Sequence, residues 1–531
     1  MTQHEHPAFI RALRKPGAWP HPVDDVELVE THISWVLLAG EHAYKFKKPV
    51  NFGFVDFSSL HLRRYYCREE LRRNQPLAAE LYEAVITLSG DPEAPLIEAD
   101  GEETEPAFEY GVRMRRFDEA HRLDRMLAAG QLDAEALEDF ARRLAQFHQE
   151  AAVASRQTVN GTPEAVIAPA RDNIRGLQAL LRDRPELREA SSDALERVGA
   201  WTEEAYRVLA PTMAARRAEG FIRECHGDLH LGNLTWHSDR VIAFDCIEFN
   251  PDFYWIDVIN EIAFLVMDTA DRGHPELGRR ALNRYLEWTG DYNGVALLDF
   301  YRVYRAMVRA RVAGLRLEQT EGDKARKVCD EITDYLDLAA TFIRPHPPWL
   351  ALTHGLSGSG KSRVSREIVA SGDAIRLRSD VERKRLHGLS PDARTDSGVA
   401  AGLYTPEASR RTYQHLLDRA ETLLRAGWPV VVDATFLTSA RREPFLELAR
   451  ELRVDSVILD IDAPEEVLRQ RIRDRAAKGR DPSEADETVL DHQLEQRERV
   501  ASGEATRVLT IDTTRERDGA VLWRRVGGLD E

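Results

Sequence analysis

The sequence predicts two domains in series, an α+β domain and then an α/β domain built on a parallel sheet. Three observations predict this. The octet Gly355-Leu356-Ser357-Gly358-Ser359-Gly360-Lys361-Ser362 fits G-x-x-x-x-G-K-[ST], and it sits between an apolar run, 349–352, and a helical pattern, 363–369. Upstream, short strand-like runs give way to long helical stripes, whereas downstream the two kinds alternate, as in a helix-covered parallel sheet. Between them, Arg344-Pro345-His346-Pro347-Pro348 cannot continue a helix and favours an extended spacer. The expected limits are 1–343 (small lobe about 24–116, helical lobe about 117–343), a linker at 344–348, and 349–531.

Length and composition agree. At 531 residues the chain exceeds one ordinary core. With 43% apolar and 31% charged residues it reads as globular and soluble. A net charge of −17 argues against general coating of nucleic acid. Cys67, Cys225, Cys246 and Cys329 are far apart and form no C-x-x-C pair, so a reducing compartment fits. No apolar run reaches 18 residues and the N-terminus lacks a signal-peptide core, so a cytoplasmic protein without a membrane span is expected.

Taken in order, strand-like runs occupy 26–29, 33–38 and 43–47, with a turn at Gly40-Glu41-His42. Alternation puts Tyr44 and Phe46 on one face of the third run and Lys45 and Lys47 on the other. A helix is expected from about Ser58 to Leu81, then strands at 84–88 and 108–114. Helical periodicity dominates from Leu123 to about Leu209 and from Ile256 to about Ile343. It is interrupted by 223–225, leading into His226-Gly227-Asp228, and by 241–244, leading into Asp245.

The interruption carries chemistry. In His226-Gly227-Asp228-Leu229-His230-Leu231-Gly232-Asn233 an Asp is followed five residues later by an Asn, and Asp245 ends an apolar strand twelve residues further on. Phosphoryl transfer needs a carboxylate near the acceptor hydroxyl, plus an Asn and an Asp for Mg²⁺. Lys45 on an upstream strand and Glu70 on the next helix complete the set, one neutralising ATP phosphates and the other holding that lysine.

On the H-G-D-x-x-x-x-N loop and the Phe244-Asp245 strand end, residues about 25–340 resemble the aminoglycoside phosphotransferase family, a branch of the protein-kinase-like bilobal fold. The resemblance implies that Asp228 is the catalytic base, that Asn233 and Asp245 are metal ligands, and that Lys45 is the ATP lysine with Glu70 its partner. Lys47, on the same face, is an alternative to Lys45. Asp257 is expected to brace the catalytic loop. The nucleotide-covering turn Glu30-Thr31-His32-Ile33-Ser34 departs from the family in having no glycine, leaving side chains such as Ser34 to meet phosphate.

In the second half the octet's glycines let backbone N–H groups wrap a phosphate at a helix N-terminus. Lys361 is expected to reach the β- and γ-phosphates and Ser362 to complete a Mg²⁺ site. Asp380, in Arg378-Ser379-Asp380, and Asp433, ending Val430-Val431-Val432, lie at strand ends and suit an acceptor-activating base and a metal-side acid. Arg471 and Arg475 share a helix face that reads either as a phosphate-clamping lid or as an ion-paired surface.

These motifs, with Arg480-Asp481-Pro482-Ser483-Glu484-Ala485 after the arginine helix, resemble small P-loop kinases of the gluconate kinase, polynucleotide kinase and zeta-toxin group. By that resemblance Arg383 contacts acceptor or phosphate. The two halves together resemble bifunctional aminoglycoside phosphotransferase/ATP-binding proteins. The expectation is a kinase using ATP and Mg²⁺ at two sites, each phosphorylating a hydroxyl of a small molecule. Two alternatives remain open: a polynucleotide-end or nucleotide-sugar kinase in the C-terminal half, with nucleic acid a less expected partner, and a half that binds nucleotide only to regulate.

Overall fold

The computed structural model describes residues 6–53, 55–101, 105–318, 320–345, 347–393, 405–478, 486–501, 503–516 and 518–527. Contacts divide the chain into two units, the first holding Met1–Phe140, Glu150–Val166 and Met213–Leu265, the second Ala141–Gln149, Ile167–Thr212 and Val266–Glu531. That division does not fall at the proline-rich stretch. The helices after Leu265 group with the P-loop sheet.

The first unit is built on an antiparallel sheet of β1 (Val26–Glu30), β2 (Ser34–Ala39), β3 (His42–Lys47), β4 (Tyr82–Asp91), β5 (Ala94–Ala99) and β6 (Ala107–Arg115), in the order β1-β2-β3-β6-β4-β5. The alternation in β3 holds. Tyr44 and Phe46 pack with Trp35 and with Phe9, Ile10 and Leu13 of a short helix, Ala8–Leu13. The opposite face receives helix Leu60–Ala78, capped by Ser59 accepting from the Leu62 N–H at 3.2 Å and packed through Cys67 and Ala78 against Tyr110 and Val112. β5 escapes the sequence reading because most of its side chains are exposed or half-buried and carry no apolar alternation.

Four short strands position the His226–Asn233 loop: β7 (Ile222–Glu224), β8 (Leu234–His237), β9 (Arg240–Ala243) and β10 (Trp255–Asp257). β7 pairs with β10 and β8 with β9, both antiparallel. The β8–β9 register sets Leu234 against Ala243, and the Phe244 N–H donates to the Asn233 carbonyl at 3.0 Å. Asn233 is thereby held opposite Phe244, the residue before Asp245.

The second unit combines helices with a parallel sheet of β11 (Trp349–His354), β12 (Ile375–Arg378), β13 (Val430–Asp433), β14 (Asp455–Asp462) and β15 (Arg507–Asp512), in the order β12-β13-β11-β14-β15. β11 is central and buried throughout, which explains the apolar run 349–352 at its start. Its loop leaves the carboxyl edge where neighbouring connections diverge, the usual ligand position in open α/β sheets. Among the described residues no helix is long and apolar enough to cross a membrane.

Candidate active sites

In the first unit, β3 and helix Leu60–Ala78 hold three charged side chains together. Glu70 is fully buried and divides its oxygens, Oε1 meeting Lys45 Nζ at 2.8 Å and Oε2 meeting Lys47 Nζ at 2.7 Å. Lys45 continues to Asp245 Oδ1 at 2.5 Å, whereas Lys47 is sealed against Glu248. Both lysines therefore hold Glu70, and Lys45 is the one beside the expected metal carboxylate. Burial pushes the Glu70 carboxyl up, but the two ammonium groups overcome it and hold it well below the usual carboxylate range. Burial alone lowers Lys45; Asp245 and Glu70 reverse this and keep it cationic.

Asp245 has a side chain about half exposed (46%) and a left-handed backbone, φ 63°. Its N–H donates to the Tyr82 hydroxyl at 3.0 Å. A non-glycine residue held in that conformation at a strand end is the local strain that functional sites retain. Asn233 Nδ2 donates to both the carbonyl and Oδ2 of Asp228, each at 3.0 Å. His226 accepts the Asp228 N–H at Nδ1 (3.2 Å), so its Nε2 donates to the Phe244 carbonyl at 2.8 Å. Burial lowers the His226 pKa, in keeping with this neutral form.

The carboxylate bracing the loop is Glu261, which accepts from the His226 N–H at 2.5 Å and the Gly227 N–H at 3.0 Å. This corrects the expectation for Asp257, whose oxygens instead bind Arg216 at 2.7 and 2.8 Å and the Ile259 N–H. Glu261 had a signal in sequence, an acid in the first turn of the apolar helix Val258–Asp271, which also carries Asp268 and Asp271. Glu248, three residues after Asp245, had none.

In the Glu30–Ser34 turn, the Thr31 N–H donates to the Ser34 carbonyl at 3.0 Å and Thr31 Oγ1 accepts from the Ser34 N–H at 2.9 Å. Ser34 lies opposite Lys47 in the β2–β3 register, and its buried hydroxyl has no hydrogen-bond partner among the described residues.

In the second unit, the loop after β11 has positive φ at Gly355, Gly358 and Gly360. A Cβ on Gly358 would lie 2.7 Å from the Leu468 carbonyl oxygen. Lys361, first in helix Lys361–Ser371, bends back to the carbonyls of Gly355 (3.0 Å) and Leu356 (2.8 Å). Burial pulls its pKa down to about 8, with Asp433 and Asp380 opposing and Arg475 and Arg497 adding to the fall. The fully buried Ser359 hydroxyl has no hydrogen-bond partner among the described residues. Gln493, unforeseen from sequence, accepts the Ser357 N–H at 2.8 Å.

Asp433 ends β13 almost buried and accepts from Ser365 Oγ at 3.2 Å. Asp380 and Arg383 lie on helix Ser379–Leu386, directly after β12, with Arg383 Nη1 3.3 Å from Ser409 Oγ. Arg471, which the sequence left between a lid and an ion-paired surface, braces the loop here. Its guanidinium donates to the carbonyls of Gly358 (3.2 Å) and Ser359 (3.3 Å) and to Thr513 Oγ1 (2.8 Å). Arg475 lies one turn further along the same helix, Glu465–Lys478. Arg480 and the segment to Ala485 lie outside the described residues.

The comparisons with known proteins follow this division of chemistry. Residues 62–301 match the phosphotransferase enzyme family (APH), and residues 350–500 match an AAA domain (AAA_33). Uncharacterized protein Rv2004c of Mycobacterium tuberculosis H37Rv and uncharacterized protein Mb2027c of Mycobacterium bovis are each 31% identical over 464 residues, 87% of this chain and 89% of theirs. Among solved structures, a choline/ethanolamine kinase family protein from Mesorhizobium loti is similar over 63% of this chain and 98% of its own (11% identity, TM-score 0.32). A gluconokinase from Sinorhizobium meliloti is similar over 35% and 97% (21% identity, TM-score 0.25). The chain belongs to the family of these mycobacterial proteins, and in it a phosphotransferase (APH) segment is followed by a P-loop segment that matches an AAA domain.

Proposed function

We propose that each unit transfers the γ-phosphate of Mg·ATP to a hydroxyl of a small molecule. The observation that carries this reading is Lys45, whose ammonium lies 2.8 Å from Glu70 and 2.5 Å from Asp245. A cation held there neutralises triphosphate oxygens next to the carboxylate that takes the metal. In the first unit Asn233 and Asp245 would hold Mg²⁺, consistent with an exposed, strained Asp245. In the second unit Ser362 and Asp433 would do so, consistent with a glycine cradle and a buried Ser359 hydroxyl that has no hydrogen-bond partner among the described residues. When bound, the metal offsets charge on the phosphate oxygens.

The chain's own groups do the rest. Asp228 takes the proton of the acceptor hydroxyl as the new O–P bond forms and the bond to ADP breaks, with Asn233 fixing its carboxylate. Asp380 has the same role in the second unit. Lys361 exchanges its two carbonyl contacts for phosphate oxygens, and Arg475 adds positive charge on the same side. The test is transfer from γ-labelled ATP into a pool of small metabolites. Asp228→Asn and Lys361→Ala should each remove a different labelled product. A wild type that labels nothing, or two variants that lose the same product, contradicts the reading.

A further inference from the structure

β12 is an edge strand with β13 on one flank. Its other flank is covered by helix Pro275–Thr289, which precedes the P-loop by some seventy residues of sequence yet belongs to the same unit. Asn283 substitutes for a neighbouring strand there, accepting from the Arg376 N–H at 2.8 Å and donating to the Ala374 carbonyl at 3.2 Å. An unpaired strand edge is a liability that proteins cover, and this one is covered by a buried amide.

One turn further along that helix, Glu287 is buried and faces two arginines of β12. Glu287 Oε1 lies 2.5 Å from Arg376 Nη2, and Oε2 lies 3.7 Å from Arg378 Nη1. Each arginine then reaches one expected metal ligand. Arg376 Nη1 donates to the Ser362 carbonyl at 3.2 Å. Arg378, in register with Asp433, has its Nε 3.6 Å from Asp433 Oδ2. That distance and the 3.7 Å to Glu287 are nearly equal, and both exceed the roughly 2.8 Å of a direct charge-assisted bond. The Arg378 cation is shared, so neither carboxylate is fully committed to it. The helix carrying Asp380 is tied to the same segment, with Tyr292 donating to Glu382 at 3.0 Å and Arg385 to the Glu287 carbonyl at 2.5 Å.

We propose that Glu287 is a positioning residue for the P-loop site, steering Ser362 through Arg376 and keeping Asp433 available to the metal by holding Arg378 back. This rests on the reading of Ser362 and Asp433 as the metal side of that site. Without the Glu287 charge, Arg378 closes on Asp433 and competes with the cation, while Arg376 loses the anchor that orients it toward Ser362.

The test is Mn²⁺ binding at fixed ADP, read by electron paramagnetic resonance. It uses the full chain carrying Asp245→Asn, so that the first unit contributes no metal signal. Glu287→Gln should weaken Mn²⁺ by about fivefold or more, a typical coupling between linked sites, and Glu287→Asp should recover most of the loss. Arg378→Gln should leave Mn²⁺ binding as tight or tighter, and should make Glu287→Gln nearly silent. A folded Glu287→Gln chain binding Mn²⁺ within twofold of its parent overturns the inference. So does weaker binding in Arg378→Gln alone, an arm that survives if Glu287→Gln does not fold. Lys361→Ala separates the two levels of the account. If the parent chain has no Mn²⁺·ADP signal that this change removes, the P-loop reading fails and the inference falls with it. If the signal is present but indifferent to positions 287 and 378, the inference alone fails.

Discussion

Glu70→Gln tests the charge arrangement at the first site. The substitution keeps the shape and removes the charge from a fully buried carboxylate that serves two ammonium groups at 2.8 and 2.7 Å. Stripping one partner from a buried ion pair costs about 3–5 kcal/mol. Here each lysine keeps a second carboxylate, Asp245 for Lys45 and Glu248 for Lys47, so the low end, about 3 kcal/mol, applies. For a unit of roughly 200 residues that lowers the midpoint by about 6–12 °C. The sign with pH follows from the depressed Glu70 pKa. Its stabilisation is complete above the ordinary value of 4.5 and fades as pH falls below it, because the unfolded chain takes up the proton first. Urea unfolding of wild type, Glu70→Gln, Lys47→Met and the double variant between pH 3 and 7 provides the assay. Lys47→Met should cost less in the Glu70→Gln background than alone, because it then takes its ammonium from one carboxylate, Glu248, rather than from two. A Glu70→Gln chain within about 1 kcal/mol of wild type at neutral pH, or strict additivity of the pair, refutes the reasoning.

Three further outcomes follow from other residues. Glu261→Gln can no longer accept from both the His226 and Gly227 N–H groups, leaving one buried donor unpaired at about 1–3 kcal/mol. Steady-state kinetics should show kcat of the Asp228-dependent transfer falling more than KM for ATP rises, and an unchanged kcat removes Glu261 from the loop. Gly358→Ala places a Cβ 2.7 Å from the Leu468 carbonyl oxygen at a φ of 81°. Nucleotide binding that depends on Lys361 should drop at least tenfold, and calorimetric titration showing intact affinity would contradict the cradle. Glu287 is held at about 2 rather than 4.5, burial being outweighed by Arg376, Arg378 and Arg284. That shift is worth about 3 kcal/mol at neutral pH. It is retained above pH 4.5 and lost as pH falls toward 2, so the stability gap between wild type and Glu287→Gln should shrink across that window. A gap independent of pH would refute it.

Local pattern carried much of this architecture. The octet with its flanking strand and helix, the alternation of Lys45 and Lys47 against Tyr44 and Phe46, and the spacing of Asp228, Asn233 and Asp245 were all legible, because period and glycine placement are written in adjacent residues. What escaped depends on residues distant in sequence. Glu261 reaches the His226–Asn233 loop from a helix some thirty residues on, and Glu287 reaches β12 from about ninety residues away. A glutamate on an apolar helix face advertises burial without naming its partner. The two lysines could not be ranked from β3 alone, since the alternation treats them alike and only the different neighbours, Asp245 and Glu248, distinguish them. Arg471 stayed open between a clamp and an ion-paired surface because helical spacing gives a face, not the direction of a guanidinium that turns to the loop's carbonyls. The proline-rich stretch marked a break in helix without marking a division of contacts, because helix Pro275–Thr289 lies before it and completes the sheet edge after it.

The most direct measurement is the number of nucleotides bound per chain, by equilibrium dialysis with a labelled non-hydrolysable ATP analogue and Mg²⁺. Two per chain are predicted for wild type, one each for folded Lys45→Met and Lys361→Ala, and none for the double variant. A single equivalent in wild type, or two retained in either lysine variant, would contradict the claim of two phosphate-transfer sites on one polypeptide.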